Sequence, residues 1–168
     1  ALLKCSGTDG AQNNTIENST ITLDKTNTNG STAIYGASQD ATLAAIVTTA
    51  TSGANSFNIF RNNTATNTNS GILMLGYNDV TPFAFYDQNN EIGQTGAGNI
   101  MTNLGGSSLS VYGVATSYQN NLKIVDNNIN TGASAGTGGI YGINAGSASN
   151  ANTDITGNTI TTNASLSG

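Results

Sequence analysis

The stretch NTDITGNTITTN, residues 152–163, sets two isoleucines, Ile155 and Ile160, among Thr, Asn, Asp and Gly. Alone it reads as polar filler. As a template it is an apolar residue, any residue, two small turn-formers, a Thr or Asn, an apolar residue and again a Thr or Asn. Residues 155–161 (ITGNTIT), 124–130 (IVDNNIN) and 16–22 (IENSTIT) fit it. Residues 60–66 (FRNNTAT) are a weaker copy. Residues 92–101 are a distorted copy, with a small insertion (GQTGAG) ahead of Asn99, Ile100 and Met101. The leading apolar residues stand at 16, 60, 92, 124 and 155, and the last three steps are 32, 32 and 31 residues. The first step, 44 residues, carries about a dozen more, assigned to an insertion at 40–53.

A second motif follows each of the first four copies: AIYGA at 33–37, GILMLGY at 71–77, SVYGVA at 110–115 and GIYGINA at 139–145. Two motifs recurring in one order mark an internal repeat, which decides the fold before any single element does.

The composition agrees. Charged residues are 8% of the chain, well below the usual quarter, and 26 asparagines take much of their place. Disordered chains are generally charged or proline-rich; this one has a single proline, Pro82, and little charge. Within a copy the alternation is that of strands. In Asn128-Ile129-Asn130 the isoleucine points in and both asparagines out. The small residues between apolar positions suit tight corners, where Asn and Gly accept left-handed backbone angles. One such unit cannot bury its own apolar face, but stacked units can. The reading is therefore an all-β parallel β-helix of about 4–5 coils, each about 31–32 residues. Ile16, Phe60, Ile92, Ile124 and Ile155 form one internal column. Ile21, Ala65, Ile100, Ile129 and Ile160 form the next. A third strand is expected near 43–47 or 82–86. The single domain spans 1–168, with an edge segment at 1–12 and repeats at 13–163.

The pattern resembles the right-handed parallel β-helix repeat family, on ITGNTIT, IVDNNIN, TIENSTIT and FRNNTAT as they stand here. The likeness covers nearly the whole chain. It implies an asparagine ladder at one corner, at Ser19, Asn63, Asn127 and Asn158, incomplete at Ser19. The phrasing is also similar to that of large secreted surface proteins of bacteroidete-type bacteria.

Several functions lack their residues. The net charge is −5, with Lys4, Lys25, Arg61 and Lys123 the only cations, so there is no basic stripe for a nucleic-acid backbone. No apolar run approaches a membrane span, and no membrane insertion is expected. The lone Cys5 can close no intrachain disulfide and reads as a small buried residue; no metal or other cofactor is expected. Histidine, the commonest acid–base residue, does not occur. Gly-rich pieces such as residues 136–139 lack the lysine and helix of a phosphate loop and read as corners or loops.

Many members of the resembled family act on polysaccharides, which requires converging carboxylates or a strong base. Asp79, Asp87 and Glu91 fall in one coil and are the only such group; they read as solvated loop charges. Two outward features remain. Thr20, Thr22, Thr64, Thr66, Asn128, Asn130, Thr159 and Thr161 form a flat polar ladder, broken by Met101. Tyr35, Tyr112 and Tyr141 form an aromatic column able to platform a sugar ring.

The expectation is a structural or adhesive module of a secreted, surface-displayed bacterial protein, not an enzyme. A carbohydrate-active β-helix enzyme, or its non-catalytic stem, is the alternative. The chain opens without methionine and stops five residues after Asn163 with the repeat in phase. It reads as part of a longer parent, with the rest of that parent, end-to-end copies of itself, or glycans as partners.

Overall fold

The structure, a computed structural model, describes residues 1–106, 109–132, 138–146 and 148–162. Asn163, Gly136 and Thr137, used above as repeat boundary and loop residues, lie outside them.

The chain is a parallel β-helix. Strands, numbered in chain order, stack into three main sheets. The first holds β1 (Thr15–Glu17), β4 (Ile59–Arg61), β8 (Glu91–Ile92), β12 (Leu122–Val125) and β15 (Thr153–Thr156). The second holds β2 (Thr20–Thr22), β5 (Thr64–Thr66), β9 (Ile100–Leu104), β13 (Asn128–Thr131) and β16 (Thr159–Thr162). The third holds β3 (Thr32–Ala37), β6 (Ser70–Leu75), β10 (Val111–Ser117) and β14 (Ile140–Ala145). A two-residue pairing of β7 (Asp87–Gln88) with β11 (Gln119–Asn120) fills a further corner.

The first internal column forms as the repeat requires: Ile16 pairs with Phe60, Phe60 with Ile92, Ile92 with Ile124 and Ile124 with Ile155. Phe60, Ile92 and Ile124 are fully buried. The chain turns out of this sheet through left-handed residues at Asn18, Asn62, Gly93, Asp126 and Gly157, the positions where the repeat places small turn-formers.

The second column differs at one place. Ala65 and Ile129 pair with Met101, not Ile100. Met101 is fully buried and Ile100 is 44% exposed. The four residues added before Asn99 shift the spacing from Ile92, but the corner amide restores it. Two residues beyond Ser19, Asn63, Asn99, Asn127 and Asn158 stand Ile21, Ala65, Met101, Ile129 and Ile160.

The third sheet is built from the AIYGA-type segments. No strand forms at 43–47 or 82–86, because acidic side chains close turns there. Asp40 Oδ1 accepts the Thr42 and Ala44 N–H groups, and Asp79 accepts those of Val80 and Phe85. Within 40–53 lie this turn, whose flanks meet at an antiparallel Gln39–Ala45 bridge, and a short 3₁₀ turn at Thr51–Gly53. Gly71, Gly113 and Gly142 face the second column; an added Cβ would stand 2.4 Å from Met101 Sδ, Ile129 Cγ2 and Ile160 Cγ2 respectively.

Residues 1–10 lie beneath the first coil. Leu2 bridges Gly36 in parallel, and its N–H donates to the Tyr35 carbonyl at 2.7 Å. Leu2 is thereby 9% exposed. Cys5, expected to be buried, is exposed on this segment, whose local bonds run between Ser6 and Asp9 and leave its side chain outside.

Candidate functional site

The corner amides form a continuous ladder, buried at Asn63, Asn99 and Asn127 and partly exposed at Asn158. Asn63 Nδ2 donates to Asn99 Oδ1, Asn99 Nδ2 to Asn127 Oδ1 and Asn127 Nδ2 to Asn158 Oδ1, at 2.9–3.0 Å. Each Nδ2 also donates down to a carbonyl of the preceding coil: Ile16, Phe60, Ile92 and Ile124. Ser19 ends the ladder as expected, its N–H donating to Asn63 Oδ1. Asn99 is the rung that the insertion hid.

Two more ladders were missed. Asn14, Asn58 and Asn90 stack with amide-to-amide bonds of 2.9 and 3.2 Å, and Asn90 continues to Gln119 Oε1. Beside them, Asn55, Asp87 and Gln119 form a third. The Asn55 N–H donates to Asp87 Oδ1 at 2.8 Å, and Gln119 Nε2 to Asp87 Oδ2 at 3.2 Å. The signal was present: Asn14, Asn58 and Asn90 repeat the 44- and 32-residue steps of the anchors.

Asp87 is therefore an internal rung and not a solvated loop charge. It has no exposed surface, and burial pushes its carboxyl up to about 6, against the pull of the Asn55 N–H, of Lys4 and of Gln119. Lys4 is also buried, its Nζ donating to Thr48 Oγ1. Burial lowers its pKa and Asp87 raises it. Asp79 is 9% exposed and is occupied with its turn. Glu91 points out of the first sheet, where Gln94 and then Lys123 hold its carboxyl below the ordinary value. Asp79, Asp87 and Glu91 thus each have a different set of partners. Among the described residues, no three His, Cys, Asp or Glu side chains converge.

The outward face of the second sheet carries the predicted ladder in register. Thr20, Thr64, Ile100, Asn128 and Thr159 make one column, and Thr22, Thr66, Thr102, Asn130 and Thr161 the other. Ile100, not Met101, interrupts it, in one column only. Charges on the first sheet meet opposites one coil away, Glu17 with Arg61 at 2.7 Å and Glu91 with Lys123 at 3.1 Å.

The tyrosines do not form a column of three. Tyr112 and Tyr141 stack with centroids 5.1 Å apart and planes 11° off parallel. Tyr35 instead pairs with Leu73, which pairs with Ala115. Register here follows the inward line Ile34, Ile72, Val114 and Ile143, so the shared Tyr-Gly dipeptides lie three residues out of step. The Gly of AIYGA faces Met74, whereas Gly113 and Gly142 face the second column.

Two hollows on this sheet border Tyr112. One lies between coils with Asn29, Ser31, Thr32 and Ser70, and a more apolar one is lined by Leu73, Leu75, Ala115 and Asn144. Away from this sheet a further hollow is bounded by Gln12, Thr51, Ser52, Ser56, Phe57 and Gln88. It and the first combine an aromatic ring with neutral amides or hydroxyls. No helix of the described residues is long and apolar enough to cross a membrane.

No protein-family model, curated protein or solved structure matches this chain.

Proposed function

We propose that this chain is a structural and adhesive β-helix module, a stiff rod presenting flat polar and aromatic surfaces to a neighbouring surface, to glycans or to further coils. The observation that carries this reading is the unbroken amide ladder from Asn63 to Asn158. It ties successive coils together with buried bonds and leaves the outward positions to Thr, Asn and Tyr. Satisfied buried amide networks make a rigid unit. Placement in a secreted, surface-displayed bacterial protein belongs to the same proposal and rests on the likeness of the repeats to those of such proteins. Display of the 168-residue chain on a non-adherent bacterial cell tests the proposal. Retention on polysaccharide-coated or abiotic surfaces should rise above that of cells displaying a scrambled control. Equal retention overturns it. Release of soluble sugars from a polysaccharide by the purified chain would favour the carbohydrate-active alternative.

A further inference from the structure

One corner departs from its equivalents in residue type. Position 57 belongs to the column Asn13, Phe57, Asn89 and Asn121, each one residue ahead of Asn14, Asn58, Asn90 and Leu122. All four have left-handed backbone, with φ of 57, 61, 54 and 54°. Asparagine suits that conformation, and Asn121 Nδ2 donates to Asn89 Oδ1 at 2.7 Å. A phenylalanine is strained there and makes no such bond. Its backbone cannot relax, because the Phe57 N–H is held by the Gln88 carbonyl at 2.8 Å. Phe57 is 47% exposed, so one side of it stays open to solvent. Other large residues with positive φ have a different setting. Phe83 and Tyr118 pack on Tyr86 at 5.5 and 5.8 Å between ring centroids, and Leu43 sits in a turn with no counterpart in other coils.

The surroundings of Phe57 are built. The hollow beside it encloses about 430 Å³, within the range of small-ligand clefts. Gln12 Nε2 is fixed by the Thr51 and Ala54 carbonyls, and Gln88 Nε2 by the Ala84 carbonyl. Among the described residues nothing donates to Gln12 Oε1 or Gln88 Oε1, which leaves two anchored acceptors beside an aromatic ring. None of the six lining side chains ionises, so an ionic ligand finds no counter-charge. A pyranose has the matching chemistry: a C–H face for the ring and hydroxyl donors for the amide oxygens.

We infer that this hollow binds a neutral saccharide unit, with Phe57 as the stacking residue and Gln12 and Gln88 as hydroxyl acceptors. The inference rests on the reading of the chain as a contact module and names one of its contacts. It is tested by calorimetric titration of the 168-residue chain with neutral oligosaccharides of gluco, manno and galacto configuration, with a uronic acid oligomer as the charged control. At least one neutral oligomer should bind, and more tightly than the uronate. F57N should weaken that binding about three- to tenfold, the size of one lost aromatic contact. Its thermal midpoint should stay level or rise, because asparagine is the residue the column otherwise uses. F57Y should bind like the parent. The inference is overturned if no neutral oligomer binds, if the uronate binds as well, or if F57N binds unchanged. A destabilised F57N would also overturn it by giving Phe57 a structural role. Saccharide binding that persists without cell retention would count against adhesion alone.

Discussion

At the scale of single residues, the corner amides and Asp87 are the side chains with the largest consequences. Asn127 donates to Ile92 O and Asn158 Oδ1 and accepts from Asn99 N and Nδ2, all within 2.8–3.0 Å. Truncation strands the Ile92 carbonyl and the Asn99 donors in a buried place. N127A should cost about 3 kcal/mol in urea unfolding, since each buried group left unpaired costs about 1–3 kcal/mol. N127S, which keeps an acceptor as Ser19 does, should recover part of that loss. Asp87 acts through pH. Its folded carboxyl titrates at about 6, above the ordinary 3.8, so between these values the folded chain holds more protons than the unfolded one. The stability it contributes is complete below about pH 4 and is lost as pH rises through 6, by about 3 kcal/mol for two pKa units. Glu91, Asp24 and Asp40, whose carboxyls lie below the ordinary value, act in the opposite sense as pH falls below about 4. Unfolding free energy should therefore peak near pH 4 to 5 and decline toward 7. D87N, similar in shape but without the charge, should be flat from pH 4 to 7. A parent chain equally flat over that range would contradict the buried rung.

At the scale of an element, β9 shows what fixes a strand. Ile100 and Met101 are both apolar, and hydrophobicity alone favours the β-branched residue inside. Asn99 decides otherwise, because its amide is bonded to Asn63 and Asn127 and a one-residue slip would break both contacts and invert the strand. I100T should change stability by no more than about 0.5 kcal/mol, as expected at an exposed strand position that is Thr in three other coils. M101T, which empties volume and buries a hydroxyl, should cost about 3 kcal/mol. Equal costs by denaturant titration would contradict the register. The same comparison shows what the sequence could convey. The first internal column was legible because its period is uniform from Phe60 onward and its residues are all large and apolar. The second failed at the one copy carrying an insertion, where counting from Ile92 misleads and counting from Asn99 does not. The Tyr-Gly motif misled because Gly36 and Gly113 serve different close contacts, so like letters do not mark like positions. Asp87 was misread because an acid among Asn and Gln reads as loop, whereas it stands in an amide's place. The Phe57 hollow gave no motif, since its lining is gathered from residues 12, 51, 52, 56, 57 and 88.

At the scale of the whole molecule, the first and last coils of the described residues differ. Below, residues 1–10 bridge β3 and cover the first coil. Above, the inward positions of the last described strands stand open, with Ile155 46% and Ile160 45% exposed, against 0% for Ile124 and Ile129 one coil down. The ladder is polar along the same axis, since each rung's N–H and amide donate to the Oδ1 of the coil above. The Asn158 amide is spent on the Ile124 and Thr156 carbonyls, so its backbone N–H is the donor facing upward, and an unpaired strand edge with an apolar row is a template for another strand. In a longer parent the next coil would take that edge; in the 168-residue chain a second copy can take it, with the Ser19 hydroxyl as the acceptor facing Asn158. Light scattering should therefore show mass rising with concentration, with little dependence on salt because the contact is apolar and hydrogen-bonded. I160K places a charge on the open edge without touching the buried core of the lower coils. It should return the chain to a monomer while leaving the far-ultraviolet spectrum unchanged. A parent chain that stays strictly monomeric across the accessible concentration range would show that the open face does not pair.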